Sequence, residues 1–124
     1  MTMEQDKRRY PRLSTTGGEY GVRFRTKDAD ILDANLANLS AGGCGLEVQL
    51  HEAAHLDVGD AIEFLVLDHP DLPFVPLTAT ILRMLGKVAG KTTGYVLIGV
   101  EFQDITPFVR ELIAGHVTAE LARE

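Results

Sequence analysis

What most limits how this chain can fold is a repeated alternation of apolar and polar residues. Cys44, Leu46, Val48 and Leu50 alternate with Gly45, Glu47 and Gln49. Tyr20, Val22 and Phe24 alternate with Gly21, Arg23 and Arg25 in the same way. A period of two sends one set of side chains to each face of an extended strand, so such segments need a core on one side only. Residues 30–39, 77–85 and 95–102 are further strand candidates, the first weakly patterned. Residues 61–67 (AIEFLVL) are apolar enough to expect burial on both faces. Pro73 and Pro76 make poor central-strand residues and precede the strand that opens at Leu77. Residues 86–94 (GKVAGKTTG) read as a hairpin loop.

The period then changes. Thr106 can cap a helix with Pro107 in its first position. Val109, Leu112, Ile113, Val117 and Leu121 follow at helical spacing, which predicts an amphipathic helix over about 106–122. Short strands followed by one helix point to a small antiparallel barrel or sandwich with a helix packed on it. A chain of 124 residues that is 45% hydrophobic suits one compact domain. We therefore expect a single domain over residues 7–124, preceded by a flexible tail over residues 1–6.

The net charge of −6 argues against duplex nucleic acid or an anionic membrane as the main partner, since both reward a broad basic surface. No apolar run is long enough to insert in a bilayer, and the polar N-terminus lacks the apolar core of a signal peptide. Cys44 is the only cysteine, which excludes an intramolecular disulfide and fits a cytoplasmic setting. Its place in the alternation makes it a small buried hydrophobe, and His116 falls at the edge of the helix stripe as a structural residue. The basic residues are uneven: Lys7, Arg8, Arg9 and Arg12 stand close together in an acidic protein. Composition alone makes that cluster a solvated tail. Arg23 and Arg25 read as solvated, and Tyr10 suits packing on the fold or on a base.

Residues 51–55 spell HEAAH, the string with which zinc peptidases place two histidines and a general base on one helix. The context does not support that use. His51 follows an alternating strand, and Gly59-Asp60 signals a turn soon after His55, leaving room for one helical turn. The extended motif needs Gly and His where Val58 and Ala61 stand. A polar connection between strands is the expected role; no metal site and no catalytic residue are assigned, and a small zinc peptidase is a remote alternative.

A different constellation carries more. Arg8 and Arg12 are spaced R-x-x-x-R, and Asn38, Ser40 and Gly43 form N-x-S-x-x-G between two strands. Arginine pairs bidentately with phosphate or with the O6/N7 edge of guanine and stacks on bases. Asn38 and Ser40 supply short hydrogen-bonding groups beside a tight turn. Gly42 and Gly43 let a ligand approach the backbone closely. Together these residues suit a purine nucleotide with phosphates.

At these positions the chain resembles the PilZ domain family, bacterial receptors for cyclic di-GMP. The family pattern is R-x-x-x-R followed a few dozen residues later by [DN]-x-S-x-x-G, and all the motif positions match. Residues 56–60 (LDVGD) resemble the family's turn into its next strand, and residues 98–102 (IGVEF) its late strand. The resemblance runs from about Lys7 to the C-terminal helix. It implies a six-stranded antiparallel β-barrel whose arginine segment folds over one barrel surface when ligand arrives. It further implies that Arg8 and Arg12 contact phosphate and guanine, that Asn38 and Ser40 bond the ligand or orient the arginines, and that Gly43 keeps the turn open. In this family the residue before R-x-x-x-R influences whether one ligand or a stacked pair binds; here it is Lys7, a cation that favours a pair. Arg9 and Gly42 are possible additional contacts. The implied function is a cytoplasmic, non-enzymatic second-messenger receptor, with no cofactor beyond its ligand and with a changed surface acting on an unidentified protein partner. The alternative is a PilZ-type adaptor that binds protein and no nucleotide.

Overall fold

The computed structural model describes residues 10–17, 19–87 and 94–124. The strands are β1 (Leu13–Ser14), β2 (Gly21–Thr26), β3 (Ala29–Leu39), β4 (Gly43–Gln49), β5 (Ala61–Asp68), β6 (Leu77–Lys87) and β7 (Tyr95–Gln103). The helices are α1 (Leu50–Ala53) and α2 (Pro107–Ala122). Antiparallel pairing runs β3-β2-β5-β6-β7-β4, and β4 returns to β3, which closes six strands into a barrel. The short β1 pairs with the end of β3, Leu13 opposite Leu39 and Ser14 opposite Asn38. The predicted barrel-plus-helix architecture is the observed one.

Most of the alternating residues do what their period demands; Leu50 does not, lying exposed at the start of α1, and Glu47, on the polar side of the β4 alternation, is buried. Val22 and Phe24, Leu46 and Val48, and Val96, Ile98, Val100 and Phe102 all point into one buried cluster. Ile113 and Val117 of α2 join that cluster, so the helix docks on the barrel through its own stripe. Thr106 caps α2 as its sequence predicts, its hydroxyl oxygen accepting from the Val109 N–H at 3.3 Å, and Pro107 follows. Leu112 departs from expectation. It is 42% exposed, and the buried face runs through Ile113, His116 and Val117 instead.

The expectation that residues 61–67 are buried on both faces is corrected. Ile62, Leu65 and Leu67 are buried, while Ala61, Glu63 and Phe64 are exposed. The cause is a bulge. Register with β6 shifts between Ile62 and Leu65, and Phe64 takes a left-handed φ of 55° that turns its ring outward. There the Arg25 guanidinium lies 5.1 Å from the ring centroid. Arg23 similarly sits over the exposed Phe74, and Arg25 also pairs with Asp30 on the surface. The loop of residues 86–94 falls largely outside the described residues.

Residues 51–55 are neither a strand nor a packed helix. They form α1, a single turn, and the bends after it. The turn is anchored by Ala53 and Leu56, both buried, while His51 and His55 are exposed. Asp57 and Asp60 then close the next turn on each other, with Gly59 at a φ of 93°. Among the described residues no group of three His, Cys, Asp or Glu is placed to hold a metal ion. Nor is any described helix long and apolar enough to cross a membrane.

Candidate functional site

The connection between β3 and β4 is a tight turn built by Ser40. Its N–H donates to the Gly43 carbonyl at 2.9 Å, and its hydroxyl donates to the same carbonyl at 3.3 Å. The hydroxyl oxygen in turn accepts from the Gly42 N–H at 3.2 Å. The turn is tied across to β7 by the Phe102 N–H, which donates to the Gly42 carbonyl at 2.9 Å. At position 43 glycine is a steric requirement, and at position 42 the fit is tight. A β-carbon on Gly43 would collide with the backbone carbonyl oxygen of Val100, and one on Gly42 would meet the Tyr10 ring at 3.0 Å.

Beside this turn the outer wall of the barrel is hollowed into a concavity of about 540 Å³. Arg12, Asn38, Ser40, Gly42 and Gly43 all line it. The structure thus gathers these sequence-derived candidates at one place. Lys7, Arg8 and Arg9 lie outside the described residues.

The register explains the hollow. Asn38 pairs with Gly45, Gly45 with Gly99, and Gly99 with Arg83, forming one row across β3, β4, β7 and β6. Two adjacent glycines in the middle of that row leave the wall without side chains. The outer residues lean in over the gap. Asn38 Nδ2 lies 2.5 Å from where a β-carbon of Gly45 would sit, and Arg83 Cγ and Nε lie 3.2 Å from the equivalent point on Gly99. Leu82, Leu85 and Leu97 form an apolar flank, and Glu101 stands near the turn.

Several of these residues escape a motif reading. Arg83 and the leucines are brought in by pairing of β6 with β7, and no local spacing marks them; Gly99 falls in the IGVEF stretch, to which a reading of the sequence assigns no role in the site. Tyr10 packs on the fold, its ring over Gly42, with the Arg110 guanidinium of α2 5.8 Å from the ring centroid. Cys44 also borders the hollow, but burial pushes its thiol up to about 12, which removes it as a nucleophile at neutral pH.

A second polar cluster lies away from the hollow, where α2 meets the barrel. The Tyr20 hydroxyl and His116 Nε2 share a hydrogen bond of 2.8 Å. The His69 ring stacks on Tyr20 at 4.2 Å and stands 5.2 Å from His116. Burial, then His69, hold His116 below its ordinary value, with Glu120 and Asp71 opposing. Burial, then Glu120 and Asp71, raise Tyr20. The expected structural role of His116 matches this geometry.

Comparison with known proteins agrees with the fold. Among solved structures, the PilZ domain with c-di-GMP of YcgR from Escherichia coli is similar with a TM-score of 0.75 at 19% identity, covering 94% of this chain and 95% of that one. The c-di-GMP complex of MrkH from K. pneumonia has a TM-score of 0.75 at 16% identity, covering 94% of this chain and 53% of that one. The Bacillus subtilis inhibitor of motility MotI/DgrA has a TM-score of 0.72 at 15% identity, covering 94% and 52%. The chain thus spans about half the length of the latter two. No curated protein matches it by sequence. The PilZ domain family model matches residues 6–119, nearly the whole chain, and the chain belongs to the PilZ domain family.

Proposed function

We propose that this protein is a cyclic di-GMP receptor without catalytic activity, working in a bacterial cytoplasm. The observation that carries the reading is the convergence of Arg12, Asn38, Ser40, Gly42 and Gly43 on one hollow of the barrel wall. That hollow offers what a cyclic dinucleotide needs: a guanidinium for phosphate or a guanine edge, a side-chain amide, and glycines that let a base approach the backbone. Its volume, about 540 Å³, is in the range of small-molecule sites. Support from relatives is that the similar YcgR and MrkH structures hold c-di-GMP.

Arg8 completes the arginine pair in this reading. It is two residues before Tyr10, and two residues span at most about 7 Å. Ligand orders the arginine segment over the barrel, and charge-assisted bidentate contacts offset the entropy of that ordering. Lys7 adds charge for a stacked pair of ligands, and Arg9 is a further contact. Ser40 acts mainly by holding the turn, since its hydroxyl is already engaged there. Tyr10 lies between the Gly42 turn and Arg110, so a rearranged arginine segment is felt by α2. That altered surface meets the protein partner.

Calorimetry with cyclic di-GMP at tens of micromolar protein tests the reading. Saturable heat is expected. Arg8→Ala and Arg12→Ala each remove charged hydrogen bonds of about 1.5–3 kcal/mol, a loss of at least tenfold in affinity. Absence of heat from the intact protein sinks the receptor reading and leaves the nucleotide-free adaptor. Hydrogen exchange tests the ordering: amides of the segment before Tyr10 gain protection with ligand if it folds over the barrel.

A further inference from the structure

α2 carries two apolar stripes, and the barrel takes only one of them. Val109, Ile113, Val117 and Leu121 pack on the core. On the opposite side Phe108, Leu112, Gly115, Ala119 and Ala122 are all exposed, Phe108 at 72%. Their spacing alternates between four and three residues, which is the spacing of a seam between two helices. We propose that this outer stripe is the contact of a homodimer, in which α2 crosses α2 of a second copy antiparallel, with Gly115 at the crossing. The contact is separate from the hollow and needs no ligand.

Three observations carry it. The first is Gly115. Glycine is the poorest helix former after proline, and this one stands in the middle of a 16-residue helix. A β-carbon there would meet nothing within 4 Å, so packing in this chain does not call for a glycine. A second helix crossing at that point does, because the absent side chain lets two backbones approach closely.

The second is size. The stripe is bulky toward the start of α2, at Phe108 and Leu112, and small toward its end, at Ala119 and Ala122. Phe108 and Ala122 lie two helical turns to either side of Gly115. A twofold axis through Gly115 therefore sets each bulky half against the small half of the other copy, a self-complementary contact. A parallel pair would set Phe108 on Phe108 and leave the alanine ends apart.

The third is charge. The stripe itself is uncharged, with Glu111 and Arg123 at its edges. The first turn of α2 holds no acidic residue and the last turn no basic one, so neither end of the helix dipole is offset from within. Glu120, Arg123 and Glu124 leave the C-terminal end net negative. An antiparallel copy places its positive N-terminal end beside that negative end, twice over. The area is small: one pair of helices about 24 Å long covers less than the roughly 1,200 Å² of a standing interface. The dimer is accordingly weak and depends on concentration.

Sedimentation velocity from about 10 µM to about 1 mM protein tests it. The parent is expected to pass from one chain toward two across that range. Leu112→Glu is expected to remain a single chain throughout; Leu112 is exposed, so the variant folds, which a thermal midpoint matching the parent verifies. Gly115→Leu is expected to show opposite signs. A better helix former raises the midpoint at the low concentration by about 3 °C, while bulk at the crossing keeps the chains apart. Mild oxidation reads the orientation. Gly115→Cys is expected to cross-link to itself at the high concentration, because that position meets itself on the twofold axis. Ala122→Cys lies opposite Phe108 and is expected not to. Cys44 is buried and does not compete. A parent that stays a single chain at every concentration overturns the dimer. A dimer that survives in folded Leu112→Glu uses another surface and overturns this one. Gly115→Leu dimerising like the parent, or Ala122→Cys cross-linking as fast as Gly115→Cys, overturns the antiparallel crossing at Gly115.

Discussion

The Asn38 amide occupies the space that a β-carbon on Gly45 would fill, while the equivalent space at Gly43 is occupied by the backbone carbonyl of Val100. The two glycines are near neighbours in β4, yet alanine has different consequences at each. A backbone oxygen cannot move without bending β7, whereas a side-chain amide can rotate away. Gly43→Ala is expected to lower the thermal midpoint by several degrees and to abolish ligand binding. Gly45→Ala is expected to leave the midpoint within about 2 °C of the parent, as for a change that displaces one partly exposed side chain, and to weaken binding through the displaced Asn38. Paired melting and calorimetry measurements distinguish the two.

Where α2 meets the barrel, stability depends on pH with a definite sign. Burial holds the folded-state value of His116 below 6.5, so the folded protein binds fewer protons there than the unfolded chain. The stability tied to neutral His116 is present above 6.5 and is lost as pH falls below it. Tyr20 is raised above 10.0, so its contribution is present below that value and is lost as pH rises past it. Tyr20→Phe leaves His116 Nε2 without its partner, at about 1 kcal/mol, or roughly 4 °C in thermal midpoint. Melting curves from pH 5 to pH 11 for the parent, and from pH 5 to pH 8 for Tyr20→Phe, check these statements.

Cys44 is buried and its thiol is pushed up to about 12 by desolvation. It should not react with iodoacetamide or a disulfide reagent at pH 8 in the folded protein, and should react fully in denaturant. Rapid labelling of the native protein would contradict the buried position.

Thr106 holds the first turn of α2 through its contact with the Val109 N–H. Thr106→Ala is expected to destabilise the protein by about 1 kcal/mol, with ligand affinity unchanged because the cap lies outside the hollow. Urea unfolding gives the first quantity and calorimetry the second.

What the sequence made legible was local. The alternation through Val22 and Phe24 and through Leu46 and Val48, the Thr106-Pro107 helix start and the Asn38–Gly43 turn each depend on neighbouring residues, and each is where its pattern places it. What it hid was set by register. Arg83 and Gly99 are far apart in the chain and meet only because β6 pairs with β7 at that step. Phe64 looks like a core residue in AIEFLVL, and one bulge turns it outward. Tyr20, His69 and His116 come from three distant segments, and no spacing links them. HEAAH shows the converse: its letters are conspicuous, but its geometry is a single anchored turn.

Closure of the barrel bears on how the protein fails. β7, YVLIGVEFQ, carries one charged residue and no proline. Such a segment is prone to stack into cross-β fibrils when its edges are free. Here both edges are hydrogen-bonded, to β6 on one side and β4 on the other. Fibril growth therefore has no template on the folded surface of β7 and must wait for the ring to open. Shelf life in concentrated solution should then follow the opening rate, and a ligand bridging β3, β4, β7 and β6 would act as a preservative.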